Sequence, residues 1–165
     1  MVINKDSGSM RVTMRMFEYT CGRCLRTYRA PQRTATDGTL VFRDAAGVYV
    51  AAVDAIGNPL FDRVDEALNR HAAVGTISDR RRGQVVQRVV GRLSDPAPSG
   101  HRYGPDAKPS CAHCGFTQPS WWQSIEPPEL VEVELPLLEQ DEWQSLSPQD
   151  QELRLREEIN DAVSA

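Results

Sequence analysis

The chain has four cysteines, arranged as two Cys-x-x-Cys pairs, Cys21/Cys24 and Cys111/Cys114. A tight Cys-x-x-Cys turn aims two sulfurs at one point. Two such turns brought together offer four thiolates in a tetrahedron, which suits one structural Zn²⁺. Soft thiolates also accept iron, but zinc is the commoner occupant. A site closed by four protein ligands has no position for water, so its ion holds structure and performs no catalysis. The spacing is the demanding part, because 86 residues separate Cys24 from Cys111. Compact ribbons use far shorter gaps. The stretch of about 31–108 therefore reads as an insertion carried between two knuckles and clamped at both ends. Closing so long a loop through a metal ties binding to folding and stabilises the fold by several kcal/mol.

Two other uses of such pairs compete. Cys21-Gly22-Arg23-Cys24 superficially resembles the Cys-Gly-x-Cys of thiol oxidoreductases, but those motifs open a helix in a βαβ context. Leu25 to Pro31 is a poor helix, and a second pair needs its own explanation. Structural disulfides need an oxidising compartment. The polar start, Met1 to Ser9, lacks the apolar core of an export signal, so a cytoplasmic location is expected.

Around the cysteines the chain reads as α+β. Residues 1–10 are expected to be disordered. Val12, Met14 and Met16 alternate with Thr13, Arg15 and Phe17, a strand period leading into Cys21. Thr39–Phe42 and Val48–Val53 read as a hairpin around Asp44-Ala45-Ala46-Gly47. Two helices follow. Asp62 is the expected cap of the first, with Phe61, Val64, Leu68 and Ala72 on one face and Gly75 ending it. Ser78 caps the second, whose stripe is Val85, Val86, Val89, Val90 and Leu93. Leu130 to Leu135 alternates as a strand with one wet face. Ser147-Pro148 opens a last helix running to about Val163, with Leu155, Ile159 and Val163 on one seam. The domain plan is a zinc-ribbon domain over 11–125 and an acidic strand and helix over 126–165.

Charge follows that division. Residues 1–125 carry 17 Lys and Arg against 11 acids, whereas 126–165 carry 2 against 12. The acidic segment either folds back on the basic body or serves a charged partner. Arginine supplies 17 of the 19 cations, and its fork suits phosphate. Arg23, Arg26, Arg29 and Arg33 surround the first knuckle. Arg81, Arg88 and Arg92 share one flank of the second helix. Together they could form a phosphate-binding face, with Tyr19 and Tyr28 stacking on unpaired bases. A global pI near 5.4 argues against a dedicated nucleic-acid surface. Trp121 and Trp122 are neighbours, so on a strand they face opposite ways. One of them is expected at the surface as a protein-contact anchor. His71 is expected to pack or cap, and His113 to tune the sulfurs as a donor. No nucleophile triad, phosphate loop or paired catalytic carboxylates stands out, and no run is long and apolar enough to span a membrane.

Met16-Phe17-Glu18-Tyr19-Thr20-Cys21-Gly22-Arg23-Cys24 resembles the opening of short bacterial zinc ribbons of the FmdB type. Cys111-Ala112-His113-Cys114-Gly115-Phe116 is similar to a generic second knuckle with its turn glycine. The resemblance spans about 25 of 165 residues. It implies a zinc ribbon, not that family's regulatory role. Leu25 stands where the glycine is usual. The expected function is a non-enzymatic, zinc-stabilised binding module or adaptor that contacts a protein. A nucleic-acid-binding regulator with an acidic autoinhibitory tail and a thiol redox protein are the alternatives.

Overall fold

The alternation around Val12 belongs to a strand longer than the pattern suggests. In the computed structural model, which describes residues 3–4, 8–34 and 38–165 (without the side chains of 3, 4, 33 and 34), it runs from Ser9 to Cys21. In chain order the elements are β1 (Ile3–Asn4), β2 (Ser9–Cys21), β3 (Thr27–Thr34), β4 (Thr39–Asp44), β5 (Val50–Asp54), α1 (Pro59–Asn69), α2 (Asp79–Leu93), β6 (Tyr103–Gly104), β7 (Pro119–Ser124), β8 (Leu130–Pro136), α3 (Asp141–Ser145) and α4 (Pro148–Ser164). The fold is α+β with antiparallel sheets. Ile3–Asn4 pair with Met10 and Ser9, so these positions are strand rather than disordered. Met1, Val2 and residues 5–7 lie outside the described residues.

β2 is the spine of the first sheet. Its first half pairs with β8, and its second half pairs with β3 and β7. β7 and β8 follow one another along the same edge of β2, separated by a link that includes the cis Glu126–Pro127 bond. The pairing with β3 shifts register between Arg15 and Met16, where Pro31 lies opposite. Pro31 has no N–H to give to the ladder. Burial changes parity along β2: Met10, Val12 and Met14 are buried in the core shared with the second sheet, whereas Phe17, Tyr19 and Cys21 are buried in a separate cluster with Tyr28 and Cys111. Phe17 is buried and Met16 only half so, the opposite of the simple alternation.

The second sheet, β5-β4-β6, lies between the first sheet and the helices. Its pairs explain why neither face is wet. Val41 sits opposite Ala52, and Leu40 opposite Val53. Val41, Val50 and Ala52 pack with Met10, Val12, Met14 and Leu135 of the first sheet. Phe42, Ala51 and Val53 pack with the helices, including Val64 and Leu68 of α1 and Val89 and Val90 of α2. That core also takes Trp143 of α3 and Leu155, Ile159 and Ala162 of α4. The acidic segment therefore folds back on the body, which settles the choice left open by its charge. Arg92 meets Glu158 at 3.1 Å, and the Arg81 guanidinium donates to the Ala162 carbonyl at 3.3 Å.

The helix starts follow capping chemistry, with one correction. Ser78 and Ser147 accept from the backbone N–H of Arg81 and Asp150, as expected. The first helix is capped by Asn58, whose side chain accepts from the Leu60 N–H, with Pro59 at its first position. Asp62 lies inside that helix. Asn58-Pro59 is the better start because Pro needs no partner for a missing N–H there. The helix also stops at Asn69, before Ala72 and Gly75.

Gly91 is a position in α2 that periodicity leaves unexplained. A Cβ there would run into the Tyr103 backbone carbonyl and stand 3.4 Å from the Phe42 ring. Alanine gains about 1 kcal/mol of helix propensity over glycine, but overpacking against backbone costs about 1–3 kcal/mol. Gly91→Ala is expected to destabilise by about 0–2 kcal/mol net. Urea denaturation measures it, and a stabilised variant would contradict the close approach of α2 to β6.

Candidate metal centre

The chain delivers the two cysteine pairs by different routes. Cys21 closes β2, and Cys24 stands in the turn to β3. Cys111 and Cys114 stand in the turn before β7. Both turns have the same internal bonds. The N–H of Leu25 donates to the Cys21 carbonyl at 3.1 Å, and that of Gly115 to the Cys111 carbonyl at 2.8 Å. The Arg23 N–H approaches Cys21 Sγ at 3.4 Å, and the His113 N–H approaches Cys111 Sγ at 3.4 Å. The residue after each pair has positive φ: 61° at Leu25 and 72° at Gly115. The turn demands it, and only glycine adopts it without strain. Leu25 is mostly exposed and carries the strain without a packing return. Leu25→Gly is therefore expected to raise stability, by about 0.5–1 kcal/mol once glycine's greater unfolded freedom is deducted. Thermal unfolding with metal bound tests this, and a lowered midpoint would refute the strain.

The four sulfurs lie within 4.8 Å of one another. The closest approaches cross between the turns: Cys21 to Cys114 at 3.5 Å and Cys24 to Cys111 at 3.7 Å. None is a disulfide. The Cys24 backbone N–H, aided by that of Arg23 and opposed by burial, draws the Cys21 thiol down to about 6. At Cys114 the Phe116 N–H pulls the other way from the net result: burial and the three neighbouring sulfurs push that thiol up to about 11. One negative sulfur is easily made here, and the last is resisted. A bound divalent cation eases that conflict, since it attracts every thiolate at once and offsets two of the four charges. The arrangement is that of a structural metal site.

The walls are aromatic. Phe17, Tyr19 and Tyr28 are buried with Cys21 and Cys111. Tyr19 and Tyr28 stack with centroids 5.2 Å apart. Tyr28 donates its hydroxyl to the Pro109 carbonyl at 2.9 Å, two residues before Cys111. Burial, then the charge of Cys111, pushes the Tyr28 hydroxyl up to about 12, so it stays a donor. These tyrosines are buried and not open to stack on bases, which removes that part of the nucleic-acid alternative. They position the second cysteine pair against the first. The sequence signal for this was present: aromatics at alternate positions running into a cysteine on one strand.

Neither cysteine pair opens a helix, which removes the context expected of an oxidoreductase motif. His113 engages Cys111 through its backbone, while its ring reaches the Thr27 carbonyl at 3.2 Å instead of a sulfur. His71 caps: its Nδ1 accepts from the Ala73 N–H and its Nε2 faces Asn160 Oδ1.

The arginines divide into two sets, and no hydrogen bond or ion pair among the described residues joins them. Arg23 lies 4.3 Å over the Phe116 ring, Arg26 is exposed, and Arg29 pairs with Glu18 and Glu129. Arg88 pairs with Asp106, while Arg81 and Arg92 hold α4. The Arg33 side chain lies outside the described residues. Trp121 and Trp122 face opposite ways on β7, and both are about half-exposed, at 48% and 45%. The expected surface indole is present, and its neighbour is exposed to the same degree. Lys108 Nζ lies 4.6 Å over the Trp122 ring. No helix among the described residues is long and apolar enough to cross a membrane.

Comparison with known proteins finds no family model, curated protein or solved structure that matches the chain. The likeness of the first cysteine turn to FmdB-type ribbons is thus carried by its own few residues alone.

Proposed function

We propose that the chain is a non-enzymatic binding module whose single structural ion is zinc and whose partner is a protein. The observation that carries the zinc reading is the sulfur geometry. Zn–S bonds of about 2.3 Å set tetrahedral sulfurs about 3.8 Å apart, close to the 3.5 and 3.7 Å between the turns. Four protein sulfurs close the coordination shell, so the ion holds Cys21, Cys24, Cys111 and Cys114 together and leaves no place for a substrate. The paired backbone donors to sulfur fit that role, because they orient and stabilise thiolate ligands. The protein-contact reading is supported by Trp121 and Trp122, half-exposed on a strand whose own residues carry no charge. The nucleic-acid reading is weakened by the engagement of Arg81 and Arg92 with α4.

Native mass spectrometry of the reduced protein tests the centre. The expected result is one zinc per chain, lost together with protection of all four thiols when a chelator is added. A chain that carries no metal under gentle conditions, with four freely alkylated cysteines, would overturn the reading.

A further inference from the structure

The four sulfurs differ in their access to solvent. Cys114 is exposed and Cys24 partly so, whereas Cys21 and Cys111 are buried, at 1% and 3% exposure. The two closest sulfur contacts each join an accessible member to a buried one, Cys114 to Cys21 at 3.5 Å and Cys24 to Cys111 at 3.7 Å. Each contact also joins the first turn to the second. We infer that the centre is a modification site for a peroxide-class oxidant, which converts these contacts into two disulfides, Cys21–Cys114 and Cys24–Cys111, that keep the turns tied once the metal has gone. The inference rests on the metal reading above, since a coordinated thiol is deprotonated and the thiolate is the form that a peroxide oxidises.

Access and distance fix the order of events. Cys114 Sγ is the sulfur that a peroxide reaches first. It bonds to one peroxide oxygen, the O–O bond breaks and hydroxide leaves, which gives a sulfenic acid. Cys21 Sγ then attacks the Cys114 sulfur. The S–S bond forms, the S–O bond breaks and a second hydroxide leaves. Two thiolates have lost two electrons, and one peroxide has been reduced to two hydroxides, which take up protons as water. A resolving sulfur at 3.5 Å halts the oxidation at the disulfide, ahead of the sulfinic acid. A second peroxide repeats the sequence at Cys24, with Cys111 resolving at 3.7 Å. The connectivity matters for the fold. Bridges within each turn, Cys21–Cys24 and Cys111–Cys114, would leave the two turns unlinked. The crossed bridges close the same long loop as the ion does, and Cys21 and Cys111 stay packed with Phe17, Tyr19 and Tyr28. Oxidation thereby removes the ion and preserves the clamp.

Peptide mapping under non-reducing conditions tests this on the zinc-loaded chain, treated with hydrogen peroxide at one and then two equivalents. A chromogenic chelator follows metal release. The expected first product carries the Cys21–Cys114 bridge, and the second adds Cys24–Cys111, with the zinc released and both bridges reversed by dithiothreitol. Hydrogen exchange of the oxidised, metal-free chain is expected to leave the β7 amides protected, whereas the reduced chain with chelator loses that protection. Cys21→Ser is expected to leave a sulfenic acid on Cys114 that dimedone captures. If that variant fails to fold, the bridge map of the unaltered chain decides alone. Bridges within the turns, bridges between chains, or sulfinic acid on Cys114 as the main product would overturn the inference. Native mass spectra taken before the oxidant count the metal. A zinc-free chain that still forms the crossed bridges would sink the zinc reading alone, and a zinc-loaded chain that forms other bridges would sink this one alone.

Discussion

Cys111→Ser is expected to lower stability by about 4 kcal/mol, on the scale set by closing a loop of nearly a hundred residues. The loss should be uneven. The sulfurs belong to a small cluster with Phe17, Tyr19 and Tyr28. The helical core and the core between the sheets contain none of these residues. Removing one ligand should therefore loosen the end of β2, β3 and β7 first. Helix content should remain. Near-ultraviolet dichroism and amide hydrogen exchange resolve the two levels: tyrosine and β7 signals are lost, while α2 amides stay protected. Addition of a chelator to the unaltered protein should give the same pattern. A uniform loss of protection through α1 and α2 would mean that the metal holds the whole fold.

Asp44→Ala is the second large effect, expected at about 3 kcal/mol. Asp44 ends β4 and is fully buried. Its Oδ1 accepts from the N–H of Val48 and of Tyr49, at 2.8 and 2.9 Å. Its Oδ2 accepts from the Ser99 hydroxyl at 2.6 Å. One carboxylate thus shapes the hairpin turn and fastens the loop after α2 to it. Alanine leaves the backbone donors without a buried partner, which costs more than the bonds themselves contribute. Ser99→Ala should cost only about 1 kcal/mol, because the carboxylate keeps its other partners. Equilibrium unfolding of both variants checks the ranking. Equal losses would show that the loop contact, not the turn, is what Asp44 serves.

Local chemistry carried much of this structure in legible form. Ser78 and Ser147 as caps, the valine stripe of α2 and the hairpin around Gly47 each depend on residues close in sequence. The four cysteines were legible for a different reason: two such pairs outside a redox context suit one shared metal site, and the fold brings them together. What the pattern concealed depends on contacts made across the chain. Phe17 is buried because a second cluster, with Tyr28 and Cys111, covers the later half of β2, which alternation within β2 cannot reveal. Trp143 is buried in a one-turn helix too short to show a period. The arginine flank of α2 looked available for phosphate because the α4 partners of Arg81 and Arg92 lie more than sixty residues away.

The central place of β2 also has a consequence for the order in which the chain is made. Its residues 9–21 leave the ribosome about a hundred residues ahead of their partners on one side, 119–136. At roughly 5–20 residues per second that is a wait of about 5–20 seconds. During that time the apolar face of Met10, Val12 and Met14 lacks the strands that flank it in the finished sheet. Such distant pairing makes folding slow and leaves the nascent strand open to wrong partners. Chaperone dependence during synthesis is therefore to be sought at this N-terminal strand, not at the cysteines.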